Sequence, residues 1–303
     1  MIKINKILCP VDFFPASIKA AHYASRLAAI SGASLRLLHV VPPMIPTAYK
    51  YPLNMVDIMK ATQKTSENEL KSLVTELNTQ GLTVETAIVV GDVRDELKRA
   101  ITTMRPDVVA MGTHGRLGVR RWVMGSTTEW MIRHSPVPVL TISAKEKLIA
   151  PEWQHIMVTT DFSDGTPAAL SYALSIALAN KSRVSLVHIA DPSNFELPPN
   201  YRDILLKGLD NQLKELIPRS MRDRYNVETK VKQGVPYRMI LEIVKIEKPD
   251  LLVMNIHGKN MVDRVLLGST AERVVRAALC PVLLVPPVKK AEALSKSQSQ
   301  RAA

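Results

Sequence analysis

Residues 106–115 read PDVVAMGTHG, and residues 249–258 read PDLLVMNIHG. The two stretches lie 143 positions apart, and Gly91 meets Gly234 and Gly125-Ser126 meets Gly268-Ser269 at the same spacing. Upstream the spacing is 149: ILCPVDF (7–13) returns as IMVTTDF (156–162), and LLHVV (37–41) as LVHIA (186–190). Six residues have dropped out of the second copy between His188 and Gly234, where PPMIPTAYKYPLNM (42–55) faces DPSNFELPPN (191–200) and a loop of variable length belongs. A unit of about 145 residues is too long for a solenoid repeat and has the size of a whole domain. The 303 residues are therefore read as two tandem domains, 1–145 and 154–287, joined by AKEKLIAPEW (144–153). Residues 288–303 form a polar, low-complexity tail expected to be disordered.

Within each copy, short β-rich apolar runs alternate with helical patterns. The expected strands are Ile7–Val11, Leu35–Val41, Val84–Val90, Val108–Met111 and Val137–Ile142, and in the second copy Ile156–Thr160, Val184–Ile189, Val227–Lys232, Leu251–Met254 and Val282–Val285. Between the first two strands of the second copy, Leu170, Ala173, Leu174, Ala177 and Leu178 share one face at 3.6-residue spacing. A polar helix carrying Leu70, Leu73 and Leu77 precedes the third strand of the first copy. Gly32 and Asn180 stand where left-handed caps would stop helices. Strands without polar alternation belong in a sheet covered on both faces. Five of them separated by helices make an α/β fold, a doubly wound, Rossmann-like parallel sheet, here present twice.

Composition narrows the class. Hydrophobic residues are 46% and charged residues 22%, which excludes global disorder, and no apolar run approaches the ~20 residues of a membrane span. The N-terminal stretch is a poor signal peptide, and Cys9 and Cys280 form no paired motif, so the expected compartment is the reducing cytoplasm with both cysteines as buried hydrophobes. The net charge is +12, with +7 on residues 1–150, +2 on 151–286 and +3 beyond. Such a balance favours phosphate-bearing partners of any size without choosing among them.

In open α/β sheets ligands bind beyond the carboxyl ends of the strands. There the first copy carries Gly112-x2-Gly115-x9-Gly125-Ser126-Thr127, and the second Asn255-x2-Gly258-x9-Gly268-Ser269-Thr270. Glycines after a strand admit a phosphate close to the backbone, and a helix starting near Ser126 would offer free N–H groups at its positive end. One such contact contributes about 0.3–1 kcal/mol, against about 8 for micromolar affinity, so several must cooperate. The competing reading is a capping box, Ser126 with Glu129 and Ser269 with Glu272, which explains the S-x-x-E pattern but not the glycines before it. Asp12 and Asp161 either accept hydrogen bonds from a base or ribose or cap the helix that follows. His114 and His257 read as structural hydrogen-bonders, Trp122 and Trp130 as packing residues. Arg116, Arg120, Arg121, Lys259 and Arg264 either neutralise phosphates or form a solvated face. There is no G-x4-GK[ST] loop, no GxGxxG after the first strand, no zinc spacing and no G-x-S-x-G elbow.

The strand ending in Asp12, the His39-Val40 pair and the Gly112-x2-Gly115-x9-Gly125-Ser126 spacing resemble a universal stress protein domain, and the resemblance extends over nearly all of residues 1–286 as two domains in tandem. It implies an adenine-nucleotide-binding fold, a cytoplasmic stress-response role and pairing of domains into dimers. Carried onto this sequence, Val11, Asp12 and Val40 would hold the adenine and ribose, and Gly112, Gly115, Gly125, Ser126 and Thr127 the ribose and phosphates. Thr160, Asp161, Ile189, Gly258, Gly268, Ser269 and Thr270 would repeat them in the second copy. Asn255 departs from the pattern, since the family has its first glycine there, and the expected result is crowding and a weaker or empty second site. The duplication suggests an intramolecular pair through the fifth strands, VPVLTI and PVLLVP, with a further homodimer left open. The expected function is an ATP-binding sensor or regulator, taking ATP or a related adenine nucleotide alone or with Mg. The sequence supplies no catalytic residues and no convincing base, so activity would be at most that of a weak ATPase. The alternatives are a slow ATPase switch and a nucleotide-free scaffold for a protein or RNA, the latter resting only on the basic surface. Neither a membrane nor nucleic acid is an expected partner.

Overall fold

The computed structural model describes residues 2–43, 55–77, 81–113, 124–143, 153–191, 201–217, 227–256 and 267–287. Strands β1 (Lys6–Pro10), β2 (Ser34–Val41), β3 (Val84–Val90), β4 (Val108–Gly112) and β5 (Val139–Ile142) alternate with helices α1 (Pro15–Ser31), α2 (Met55–Glu76), α3 (Val93–Met104) and α4 (Ser126–His134). The second copy repeats the order with β6 (His155–Thr160), α5 (Thr166–Asn180), β7 (Arg183–Ala190), α6 (Arg202–Leu216), β8 (Val227–Gln233), α7 (Pro236–Glu247), β9 (Leu251–Asn255), α8 (Ser269–Ala277) and β10 (Val282–Val285). The ten strands form one sheet in the order β3-β2-β1-β4-β5-β10-β9-β6-β7-β8. Pairing is parallel within each copy, with Ile7 beside Val108 and Cys9 beside Leu37 in the first, and Ile156 beside Leu251 in the second. At the seam β10 runs antiparallel to β5, with Leu283 opposite Leu140 and Val282 opposite Thr141. There the Thr141 hydroxyl donates to the Val282 carbonyl at 3.1 Å.

Two apolar layers sandwich the sheet because successive strand side chains point to opposite faces. Ile7, Cys9, Leu35 and Leu37 face α1 and α2, while Leu8, Leu38 and Val109 face α3 and α4. Leu70 and Leu73 of α2, with Leu77 just beyond its end, join the first layer, as do Leu170, Ala173, Leu174 and Ala177 of α5, as their spacing predicts. Cys9 and Cys280 are both buried and neither is in a disulfide; burial pushes the Cys9 thiol far above its usual range, as befits a residue used for packing.

Helix ends follow local chemistry. Gly32 takes the left-handed cap of α1 at φ 66°. The cap of α5 is not Asn180, which stays helical, but Lys181 at φ 55°. Asn180 uses its amide instead to donate to the Trp153 carbonyl, fixing the entry to β6. A left-handed lysine costs about 1–2 kcal/mol relative to glycine.

Candidate functional site

In each copy the chain order reverses between the first and fourth strands, so the ends of β1 and β4, and of β6 and β9, border a crevice. In the first copy Asp12 follows β1 and Gly112 ends β4. Asp12 Oδ1 accepts from the Phe14 N–H at 3.1 Å, and Ser17 Oγ accepts from the Asp12 N–H at 3.2 Å. Asp12 thus shapes the turn before α1 rather than capping the helix, whose N-cap is Phe14 without a side-chain bond. Its second oxygen, Oδ2, has no hydrogen-bond partner among the described residues. Asp161 holds the same turn through the Ser163 N–H at 3.1 Å.

Between these positions lies an aromatic the sequence reading passed over. Phe13 adopts φ 63° and Phe162 φ 61°, left-handed angles rare for bulky residues. Each ring packs on a histidine from the neighbouring strand, Phe13 on His39 at 4.6 Å between centroids and Phe162 on His188 at 4.5 Å. Each histidine is tied to the first strand through Nδ1, which lies 2.8 Å from the Val11 carbonyl in one copy and 2.8 Å from the Thr160 carbonyl in the other. The contact offsets the strained backbone, since aromatic pairing contributes roughly 0.5–1.5 kcal/mol. The recurring Asp-Phe dipeptide was the available signal, but no propensity rule selects phenylalanine for a positive φ.

Gly112 is required for space, and its backbone angle is not left-handed. A Cβ there would lie 2.6 Å from the carbonyl carbon and 2.7 Å from the carbonyl oxygen of Ala16, in the first turn of α1. In the second copy the roles are exchanged. Gly165 occupies the place of Ala16, and Asn255 fills the gap with its amide 3.0–3.1 Å from where a Gly165 Cβ would be. With the amide turned to satisfy both ends, its nitrogen donates to the Gly165 carbonyl at 3.0 Å, while its oxygen accepts from the Thr166 N–H at 3.1 Å and from Ser163 Oγ at 3.2 Å. Asn255 therefore crowds the start of α5 and closes it from inside. Thr160 reinforces the closure, its hydroxyl 2.7 Å from that of Thr166 and accepting from the Phe162 N–H at 2.9 Å; Val11, at the same place in the first copy, has no such group.

The glycine-spaced loop is closed at its stem. The Gly125 N–H donates to the Thr113 carbonyl at 2.8 Å, and Thr128 Oγ1 donates to the Gly112 carbonyl at 2.7 Å, pinning α4 to the end of β4. Gly268 repeats the first bond with Ile256 at 3.1 Å. The capping box does not form. Gly125 and Gly268 are the N-caps of α4 and α8, no side chain caps either helix, and Ser126 and Ser269 are the first helical residues. Glu129 pairs instead with Arg133 at 2.8 Å, and Glu272 with Arg276 at 2.7 Å. The first amides of both helices are thus left without a capping side chain, with Thr127 and Thr270 half-buried beside them. Gly115, His114, Arg116, Arg120, Arg121, Trp122, Gly258, His257, Lys259 and Arg264 lie outside the described residues. Trp130 is half-buried and stacks on His134 at 5.1 Å, as a packing residue does.

A pocket of about 1090 Å³ opens over the ends of β1 and β2, bounded by Asp12, Phe13, His39, Val41 and, from α2, Met59 and Ser66. Val11 is buried and Val40 half-buried at the ends of the same two strands, outside the pocket's lining, and their counterparts Thr160 and Ile189 are buried. Among the described residues no cluster of three or more His, Cys, Asp or Glu suits a metal ion, and no helix is long and apolar enough to cross a membrane.

These features define a class: a tandem, doubly wound α/β protein with a crevice at each point of strand reversal. The universal stress protein family model matches residues 3–143 and again 152–286, and the chain belongs to that family in its tandem two-domain form. A universal stress protein of Methanocaldococcus jannaschii is 33% identical over 144 residues, covering 46% of this chain and 85% of its own. One from Mycolicibacterium smegmatis is 24% identical over 290 residues, 93% of this chain and 97% of its own. The crystal structure of a universal stress protein from Archaeoglobus fulgidus has the same fold, with a TM-score of 0.70 at 20% identity, covering 94% of this chain and all of that one.

Proposed function

We propose that the chain is a stress-response regulator that binds an adenine nucleotide, ATP or a relative, in the crevice of its first copy. The observation that carries this reading is the α4 terminus. Its first amides are uncapped and pinned to the end of β4, beside the strand whose end bears Asp12 and the pocket. An anion there meets free donors and the positive end of the helix. Gly112, Gly115, Gly125, Ser126 and Thr127 would hold the ribose and phosphates, and Val11, Asp12 and Val40 the base and ribose. The equivalents Thr160, Asp161, Ile189, Gly258, Gly268, Ser269 and Thr270 form the weaker second site, because Asn255 and Thr160 already use the groups around the start of α5.

The same reading takes residues 1–145 and 154–287 as the two domains. Their β5–β10 seam serves as the pairing that a single-domain relative would make with a second copy, and the protein acts in the cytoplasm, where two buried cysteines outside any disulfide stay reduced. Equilibrium binding of Mg-ATP to the full chain tests the proposal. Saturation near one nucleotide per chain is the expected result; no binding at millimolar ATP would overturn it, and two equal sites would refute the asymmetry.

A further inference from the structure

The sheet has two ends, and they differ. Among the described residues no strand lies beyond β3 on one side or β8 on the other. Where β3 runs beside β2, the Leu35 N–H donates to the Thr83 carbonyl at 2.9 Å and the Gly91 N–H to the Val41 carbonyl at 3.1 Å. Backbone groups alternate in direction along a strand, so Thr83, Glu85, Ala87, Val89 and Gly91 are turned to β2. The N–H and C=O groups of Val84, Thr86, Ile88 and Val90 are turned outward, and Thr86 and Val90 are exposed. This edge reads VETAIVV (84–90), and its one charge, Glu85, accepts from Arg36 Nε at 2.9 Å. β8 reads VETKVKQ (227–233), with Lys230 and Lys232 where β3 has Ala87 and Val89. Lys232 is exposed, and Lys230 is half-buried against Glu247 at 2.9 Å. Lysines guard an edge strand against pairing with another chain, and β3 has none.

We propose that β3 pairs antiparallel with β3 of a second copy of this chain, across a two-fold axis at Ala87, and joins the two sheets into one. In that register Val84 faces Val90 and Thr86 faces Ile88, so each outward N–H meets an outward carbonyl of the second copy. Glu85 falls opposite Val89 and meets no like charge, whereas the equivalent pairing of β8 would set Lys230 against Lys230. With one neutral edge per chain the contact is isologous, and the assembly closes at two chains. A single strand edge buries less than a standard interface, so association belongs in the micromolar range or weaker and dilute protein is monomeric. The surface is distinct from the β5–β10 seam, and the pairing does not depend on a nucleotide.

Sedimentation velocity of the full chain, from low micromolar to near-millimolar concentration, tests this. The wild type is expected to pass from monomer to dimer and to stop there. Ala87→Lys copies Lys230 onto the first edge without an acid to hold it, since Met104 stands where Glu247 does, and sets two lysines face to face. It should weaken the dimer about fivefold or more. Thr86→Pro removes an outward donor and none of the bonds to β2, so it should abolish the dimer and leave a folded monomer. Residue-level hydrogen exchange reads the wild type directly: the Thr86 and Ile88 amides should slow as concentration rises, while those of Glu85 and Ala87, already bonded to β2, should not. A wild type that stays monomeric, a dimer unaffected by both substitutions, or Thr86 and Ile88 exchange that ignores concentration would overturn the proposal. Species larger than a dimer would show that β8 pairs as well and would overturn the closure.

Discussion

Gly112 and Gly165 look interchangeable in a composition count, yet they answer to different neighbours. A methyl group on Gly112 would press on the backbone of Ala16, which no side-chain rotation relieves. Gly112→Ala is expected to destabilise the protein by about 1–3 kcal/mol, as overpacking does. Gly165→Ala meets only the Asn255 amide at 3.0–3.1 Å and should cost less. Urea denaturation of both variants checks the order, and a Gly112→Ala protein as stable as the wild type would refute the steric account. The spacing of Gly112, Gly125 and Asn255 was legible in the sequence, because a duplicated chain carries its own internal comparison. Ala16 and Gly165 were equally visible at an offset of 149. They escaped attention because their meaning lies in contact across the crevice, which a one-dimensional spacing does not show. The capping box failed for a related reason. The pattern Ser-x-x-Glu fixes four residues, but Glu129 has an arginine one turn ahead, and the i,i+4 pair won.

At the level of strands and helices, apolar runs located every strand among the described residues; Val84–Val90 and Val282–Val285 coincide with their expected bounds, and the ends that differ do so by one or two residues, as where β4, β7, β8 and β9 each pair one residue past the expected end. Burial of a histidine in a strand was less legible. His155 opens β6 with Nε2 2.7 Å from Ser185 Oγ and Nδ1 3.0 Å from an Arg183 nitrogen. The arginine can only donate, so the ring is held neutral with its proton on Nε2. Burial, helped by the Arg183 charge, lowers its pKa from the ordinary 6.5, against the opposing pull of Glu247. The unfolded chain then binds the extra proton first. The contribution of His155 to stability is intact above about pH 6.5 and is lost as the pH falls below it. Urea midpoints at pH 7.5 and 5.0 should drop further for the wild type than for His155→Gln, which does not titrate; equal drops would show that the ring protonates freely in the fold.

For the molecule as a whole, the seam joins two strands, β5 and β10, that are buried along their whole length. Leu140 and Leu283, opposite one another on β5 and β10, are fully buried. Residues 1–145 alone would expose β5 as an unpaired apolar edge, which self-association covers. That fragment is expected to be a dimer by light scattering, whereas the full chain satisfies the edge internally; a monomeric fragment would show that the edge needs no partner. The two halves have also lost the freedom to change places. Turning the Gly112–Ala16 arrangement into the Asn255–Gly165 one takes two substitutions and a shift of the helix start, since the Ala16 carbonyl itself blocks any side chain at position 112. Adding the asparagine first creates a collision, and removing a side chain first leaves glycine on both sides with neither contact. Return is milder at its first step, since a side chain on Gly165 meets only the Asn255 amide, but it too takes two substitutions, so the difference between the copies at this pair of positions is held by a ratchet that no single mutation reverses.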